Sequence, residues 1–119
     1  MNGVNAVATY VVVGALWLVA AVSIVTAHCG ASGKLPRNQA VGVRTPGTMA
    51  SDAAWRAGHR AAIPVMWLTV PGAMAGSAAL MLTGLGARAL GWIPIAVLVP
   101  ILLAAAVVAD KAARRSHSA

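Results

Sequence analysis

The first 33 residues of the chain, Met1–Gly33 (MNGVNAVATYVVVGALWLVAAVSIVTAHCGASG), contain no Asp, Glu, Lys or Arg. Two later stretches, residues 61–87 and 89–109, are also free of these charged side chains. A helix needs about 20 residues to cross a hydrocarbon core of roughly 30 Å, and each stretch is long enough. The sequence therefore predicts an all-α integral membrane protein with three transmembrane helices, at residues 4–27, 62–85 and 91–109.

The composition supports a membrane protein. The chain has 119 residues, of which 60% are hydrophobic and 9% charged, and its mean hydropathy is +0.80. Soluble domains carry about 25% charged residues. We expect residues 1–119 to form a single membrane domain. The first apolar segment lacks a basic leader and exceeds the length of a signal-peptide core, so we interpret it as a retained helix.

The basic residues predict the orientation of the chain. Eight of the nine lie in the loop at residues 28–61 or the tail at residues 110–119, and only Arg88 lies between the second and third spans. Because cytoplasmic loops carry an excess of Lys and Arg, this distribution predicts an outside N-terminus and an inside C-terminus. The predicted location is the cytoplasmic membrane, in a multi-pass arrangement.

The net charge of +7 and the shortage of acids limit the classes of function. Basic side chains next to apolar helices favour anionic lipid headgroups as partners, and no nucleic-acid motif accompanies them, so nucleic-acid binding is not expected. The chain has only two acids, Asp52 and Asp110, and no motif for nucleophilic catalysis, so we expect no enzyme activity and no cofactor. His28, Cys29 and His59 lack metal-ligand spacing, and no metal site is predicted.

Prolines and glycines within the spans predict kinks, turns and packing faces. Pro71 and Pro100 lie inside spans and predict kinks. A turn is predicted at Gly84, Gly86 and Gly91, with Arg88 at its tip. Gly72 and Gly76 are four residues apart and share one helix face, which favours close packing against another helix. That helix belongs to the same chain, to a second copy or to a larger membrane complex.

The loop divides into two parts. Residues 35–46 have glycine and proline at turn positions and predict an irregular segment, in which Asn38 either braces the backbone or contacts a ligand. Residues 51–61 predict a short amphipathic helix that leads into the second span, with Thr48 or Ser51 as its N-cap.

The two faces of this short helix differ in chemistry. Asp52 and Arg56 have the spacing of a surface ion pair, and Arg60 continues the same stripe. Trp55 and His59 form a neighbouring aromatic stripe. We expect the helix to lie among the lipid headgroups, with Trp55 as an interface anchor and the guanidinium groups meeting phosphates.

The loop also carries a recognisable pattern. It resembles the signature of the SdpI family of bacterial membrane proteins, and the resemblance is to a single C-terminal-type domain. In that family the pattern lies between two membrane helices, as it does here. Gly47 stands where the family often has tryptophan. The residues that carry the resemblance are Pro36, Arg37, Asn38, Gly42, Val43, Arg44, Thr45, Pro46, Thr48, Trp55, His59 and Arg60.

The resemblance implies a non-enzymatic role in immunity to a secreted peptide toxin, or in relaying a signal by holding a regulatory protein at the membrane. It makes these loop residues other than Val43, together with Arg56, candidates for binding lipid or a partner protein, and Gly72 and Gly76 candidates for helix packing. The simpler reading of the arginines is that they set topology and bind headgroups. An alternative function is that of a small accessory subunit in a larger membrane complex. The residues leave the oligomeric state open.

Overall fold

A computed structural model describes residues 3–82 and 87–118, and within these ranges the chain contains helices and no strands. The elements are α1 (Gly3–Ser32), a 3₁₀ helix (Thr48–Ala50), α2 (Asp52–Trp67), α3 (Thr69–Leu82) and α4 (Ala87–Ser118). Three helical segments are long and apolar enough to cross a membrane: α1, α2 together with α3, and α4. The predicted all-α protein with three membrane helices is confirmed. Its orientation stays a prediction.

The helices extend beyond the predicted spans. The amphipathic helix predicted in the loop is the first part of α2, so it is continuous with the second span. Beyond the predicted third span, α4 continues through residues 110–118. The molecule measures 56 × 21 × 19 Å, which is longer than a bilayer of about 40–45 Å including its headgroups. Part of the molecule therefore lies outside a bilayer of that thickness.

Local chemistry sets where α1 ends and where α2 begins. Gly33 has a φ of +85°, which ends α1, and the Leu35 N–H bonds back to the carbonyl of Cys29 at 3.0 Å. At the start of α2, the Ser51 hydroxyl accepts a hydrogen bond of 3.0 Å from the Ala54 N–H. Ser51 is thus the N-cap, and Thr48 belongs to the preceding 3₁₀ helix. The connector, residues 33–51, joins the two helices.

Pro71 interrupts the second span as expected. Proline has no N–H to donate to the carbonyl four residues before it, here that of Trp67. The helix breaks between Trp67 and Thr69, and the buried Thr69 hydroxyl bonds to the carbonyl of Met66. By contrast, α4 continues as one helix through Pro94 and Pro100. Of the turn predicted at Gly84, Gly86 and Gly91, the first two glycines lie outside the described residues. Arg88 and Gly91 are helical and belong to the beginning of α4.

Small residues bring α2 and α4 close together. On α2, Ala54, Gly58 and Ala62 recur every four residues and are buried. On α4, three fully buried alanines recur at the same spacing: Ala105, Ala109 and Ala113. A Cβ built on Gly58 would lie 3.0 Å from the Ala109 carbonyl oxygen. Such stripes let two helix backbones approach each other within a membrane.

Gly72 and Gly76 also face helices of the same chain. A Cβ at Gly72 would lie 2.9 Å from Val97 Cγ1 of α4, and one at Gly76 would lie 3.3 Å from Leu16 Cδ1 of α1. The Trp17 indole adds a 3.1 Å hydrogen bond to Ser77 on α3. The glycine face is therefore covered within the bundle.

Candidate functional site: the basic connector

The connector is folded although it contains no long helix. Asn38 organises its first turn: Oδ1 accepts hydrogen bonds from the N–H groups of Ala40 and Val41 at 2.9 and 2.8 Å. Its Nδ2 donates to the carbonyl of Pro36 at 2.8 Å. Asn38 thus braces the backbone, which is one of the two roles predicted for it, and residues 35–46 are irregular as expected.

Thr48 is the centre of the second turn. Its hydroxyl is fully buried, donates to the carbonyl of Val43 at 2.7 Å and accepts from the N–H of Thr45 at 2.8 Å. The N–H of Thr48 in turn donates to the Thr45 hydroxyl at 3.1 Å. These bonds close residues 43–48 into a compact loop and satisfy groups that would otherwise be buried without a partner.

Asp110 of α4 fastens this loop to the bundle. Its Oδ1 accepts a 2.6 Å hydrogen bond from the Thr45 hydroxyl and a 2.8 Å bond from the N–H of Gly47. A Cβ at position 47 would overlap Oδ1, so glycine allows the close approach. On its other oxygen, Oδ2, the carboxylate binds Arg114 Nε at 2.7 Å.

Asp110 follows the charge-free part of α4, and its surroundings favour the ionised form. The hydrogen bonds from Arg114, above all, and from Thr45 lower the pKa of this carboxyl to about 2. The side chain is 24% exposed. The connector is therefore held by a carboxylate that stays charged throughout the physiological pH range.

Trp55 and His59 form a buried platform beneath the connector. Their rings lie 4.3 Å apart, and the two side chains are 1% and 0% exposed. The Trp55 indole donates to the carbonyl of Leu35 at 2.9 Å. His59 Nε2 accepts from the N–H of Val43 at 3.0 Å. Each ring thus holds a different part of the connector backbone.

The contacts of His59 define its protonation state. Because Nε2 accepts from Val43, the imidazole is neutral there, and Nδ1 is the atom that donates, to the carbonyl of Trp55 at 2.8 Å. His59 precedes the charge-free part of the second span. Burial lowers its pKa from the ordinary value of 6.5, and the bond to Trp55 opposes this shift. Both ring nitrogens are occupied, which leaves neither for a metal ion.

Two glycines fit around this platform. Gly42 has a φ of +111°, and a Cβ there would lie 2.6 Å from Trp55 Cη2. Gly30, near the end of α1, packs directly against the His59 ring, and a Cβ there would overlap the ring carbons. Gly42 therefore needs both its backbone freedom and its missing side chain.

The arginines of the connector and of the first turns of α2 lie on the outer surface. Arg37, Arg44, Arg56 and Arg60 are all exposed. Arg37 reaches across the connector, where Nη1 donates to the carbonyl of Met49 at 2.9 Å and Nε lies 3.4 Å from Asp52 Oδ1. The predicted Asp52–Arg56 pair is therefore replaced by Asp52–Arg37.

The structure corrects the expected position of three candidate residues. Thr48, Trp55 and His59 were candidates for contact with lipid or a partner, and Trp55 was expected to anchor the helix in the interface. All three side chains are inside the fold, so they shape the connector and leave outside contacts to its exposed residues. The sequence correctly predicted that Trp55 and His59 share one face of the helix, but this face points to the protein interior and not to lipid.

Three residues that shape this site were not predicted from the sequence. Asp110 was not among the candidates, since no local pattern places it beside Thr45. Gly30 and Gly58 were also missed. For Gly58 a signal existed, because Ala54, Gly58 and Ala62 repeat the four-residue spacing that was noted for Gly72 and Gly76.

The fold and the site together define a multi-pass helical membrane protein whose basic connector is folded over one end of the spans. The chain belongs to the SdpI/YfhL protein family: the sequence model of that family matches residues 34–109, more than half of the chain. The match includes nearly all of the connector, α2, α3 and the part of α4 up to residue 109. No curated protein and no solved structure matches the chain.

Proposed function

We propose that this protein is a non-enzymatic immunity or signal-relay protein of the cytoplasmic membrane, and that it acts through the outer surface of its connector. The observation that carries the proposal is a difference in exposure among the residues of the family pattern. Its buried members, Thr48, Trp55 and His59, build a fixed scaffold. Its arginines are displayed on the surface of that scaffold. A scaffold that presents charged groups at fixed positions suits recognition of another molecule.

The chemistry of the exposed groups supports binding rather than catalysis. Arg44, Arg56 and Arg60 have no carboxylate partner among the described residues, because Asp52 pairs with Arg37 and Asp110 with Arg114. The connector and the first turns of α2 therefore carry uncompensated positive charge. With the connector on the cytoplasmic side, as the positive-inside rule predicts, this surface is available to an acidic regulatory protein or to anionic lipid.

The alternative of an accessory subunit has less support. It depended on a free packing face at Gly72 and Gly76, and that face is covered by α1 and α4 of the same chain. No other described feature favours it over a protein that works alone or in copies of itself.

The test compares cells that express the protein with cells that lack it, during exposure to a panel of secreted membrane-active peptides. Expression is expected to raise survival against at least one peptide or to change transcription of a regulated gene upon exposure. An Arg44→Ala, Arg56→Ala double variant should lose the effect at normal membrane abundance. Arg88→Ala, a basic residue at the other end of the bundle, serves as the control. Unchanged survival together with unchanged transcription would contradict the proposal.

A further inference from the structure

A cleft of about 470 Å³ lies between the spans and the connector. Its walls are apolar side chains from three helices: Val22 of α1, Met66 of α2, and Leu102 and Ala106 of α4. Its roof is the connector segment at residues 40–45. Ligand sites in proteins have volumes of about 300–1,000 Å³ and are mainly apolar with a few polar groups, and this cleft has both properties.

The cleft crosses the boundary between the apolar spans and the basic connector. Val22, Leu102 and Ala106 belong to stretches of sequence without charged residues, whereas Arg44 in the roof is exposed to solvent. Ser23 and Thr26 add hydroxyl groups to the α1 wall. An occupant that satisfies both parts has an apolar chain and a polar head.

The positive charge of Arg44 indicates that the polar head of the occupant is negatively charged. One nitrogen, Nη1, donates to the carbonyl of Gln39, and no carboxylate compensates the guanidinium among the described residues. Both neighbours of Arg44 are anchored, Val43 to His59 and Thr45 to Asp110. The anchored backbone places Arg44 at the cleft, and the bond to Gln39 orients its guanidinium group. The remaining N–H donors of this group suit a phosphate.

We propose that this cleft is a binding site for one acidic phospholipid, with an acyl chain between α1, α2 and α4 and the phosphate at Arg44. Binding of this lipid does not require a role in toxin immunity, although both would use Arg44. A soluble phosphate compound would leave the apolar walls empty. A zwitterionic lipid offers the same phosphate but brings a cationic group towards Arg44, so the charge favours a lipid with a net negative headgroup.

The experiment uses the full chain in a neutral detergent and measures bound lipid by native mass spectrometry. Phosphatidylglycerol and phosphatidylcholine with identical acyl chains are titrated separately. We expect one phosphatidylglycerol to bind about five- to tenfold more tightly, as one basic contact contributes near an anionic surface. Arg44→Gln should remove this preference, whereas Arg88→Gln, at the other end of the bundle, should retain it.

A second variant tests the apolar part of the cleft. Ala106→Phe places a ring between the walls and should weaken binding of both lipids, while Arg44→Lys should retain part of the preference because it keeps the charge but loses the planar fork. Circular dichroism confirms that each variant is helical. If Arg44→Gln does not fold, Arg44→Lys and Ala106→Phe still decide the result.

Several outcomes would overturn the proposal. Equal affinity for the two lipids would show that the cleft does not select an acidic headgroup. An equal loss in Arg44→Gln and Arg88→Gln would indicate diffuse attraction by the whole charged surface. Equal binding of glycerol phosphate, which has the head without the chains, would indicate a soluble ligand. Displacement of the lipid by an uncharged apolar peptide, with no preference between the two headgroups, would indicate a peptide site.

Discussion

Thr45 and Asp110 are 65 positions apart in the chain, yet the threonine hydroxyl lies 2.6 Å from the carboxylate oxygen Oδ1. This contact joins the connector to the end of α4. The same oxygen accepts the N–H of Gly47, and the other carboxylate oxygen binds Arg114. One acid of the chain thus ties the family pattern to the last membrane helix, and the remaining acid, Asp52, forms an exposed pair with Arg37.

The two acids allow a matched comparison. Asp110→Ala removes the acceptor for Thr45 and Gly47, so we expect the connector to open and trypsin to cleave after Arg44 several-fold faster. Asp52→Ala removes only an exposed pair, in which the Asp52 side chain is 72% exposed, and should leave the cleavage rate unchanged. Cleavage is followed on protein in detergent by mass spectrometry of the fragments. Equal rates in both variants would show that Asp110 does not anchor the connector.

His59, which is buried, and His28, which is exposed, allow a second matched comparison. His59→Ala leaves a cavity and takes the acceptor from the Val43 N–H, which should lower the free energy of unfolding by about 2–4 kcal/mol. His28 is exposed and accepts one 3.2 Å bond from Trp67, so His28→Ala should cost less than about 1 kcal/mol. Unfolding in mixed detergent micelles gives both values. Similar losses would contradict the assigned role of His59.

The lowered pKa of His59 predicts a dependence of stability on pH. Between the folded-state pKa and the ordinary value of 6.5, the unfolded chain binds more protons at this residue than the folded protein does. The free energy of unfolding therefore falls as pH decreases through 6.5 towards the folded-state pKa, and the contribution is fully present only above 6.5.

The measurement compares melting temperatures of the wild type and His59→Gln at about pH 7.5 and about pH 5.5. Glutamine does not titrate, so the decrease on acidification should be smaller in the variant. His28→Gln is the control and should retain the full decrease. A wild type and a His59→Gln variant with the same pH dependence would exclude His59 as its source.

The three spans were predictable because their evidence is local. A charge-free stretch of sufficient length, such as residues 89–109, indicates a membrane helix without knowledge of its neighbours. The break caused by Pro71 is local as well. The N-cap at Ser51 was one of two predicted candidates, and the competing candidate, Thr48, is used by the 3₁₀ helix instead.

The candidate site was less predictable, because its contacts join distant segments. The spacing of Trp55 and His59 showed that they share a face, but an aromatic face suits either lipid or a protein interior. What decides between them is the position of the connector, which covers this face and bonds to both rings. Similarly, Asp110 acquires its role only because α4 runs beside residues 45–47.

The glycines provide the last prediction. Gly42→Ala forces a side chain into a backbone with a φ of +111° and towards Trp55, so we expect a loss of about 1–3 kcal/mol in the free energy of unfolding. Gly30→Ala should also destabilise, because its new methyl group meets the His59 ring. Gly14 is the control: it lies in α1 with no atom within 4 Å of an added Cβ. Gly14→Ala should be neutral or stabilising by up to about 1 kcal/mol, since alanine is the better helix former. A Gly42→Ala variant as stable as Gly14→Ala would mean that the connector does not lie on Trp55 as the structure has it.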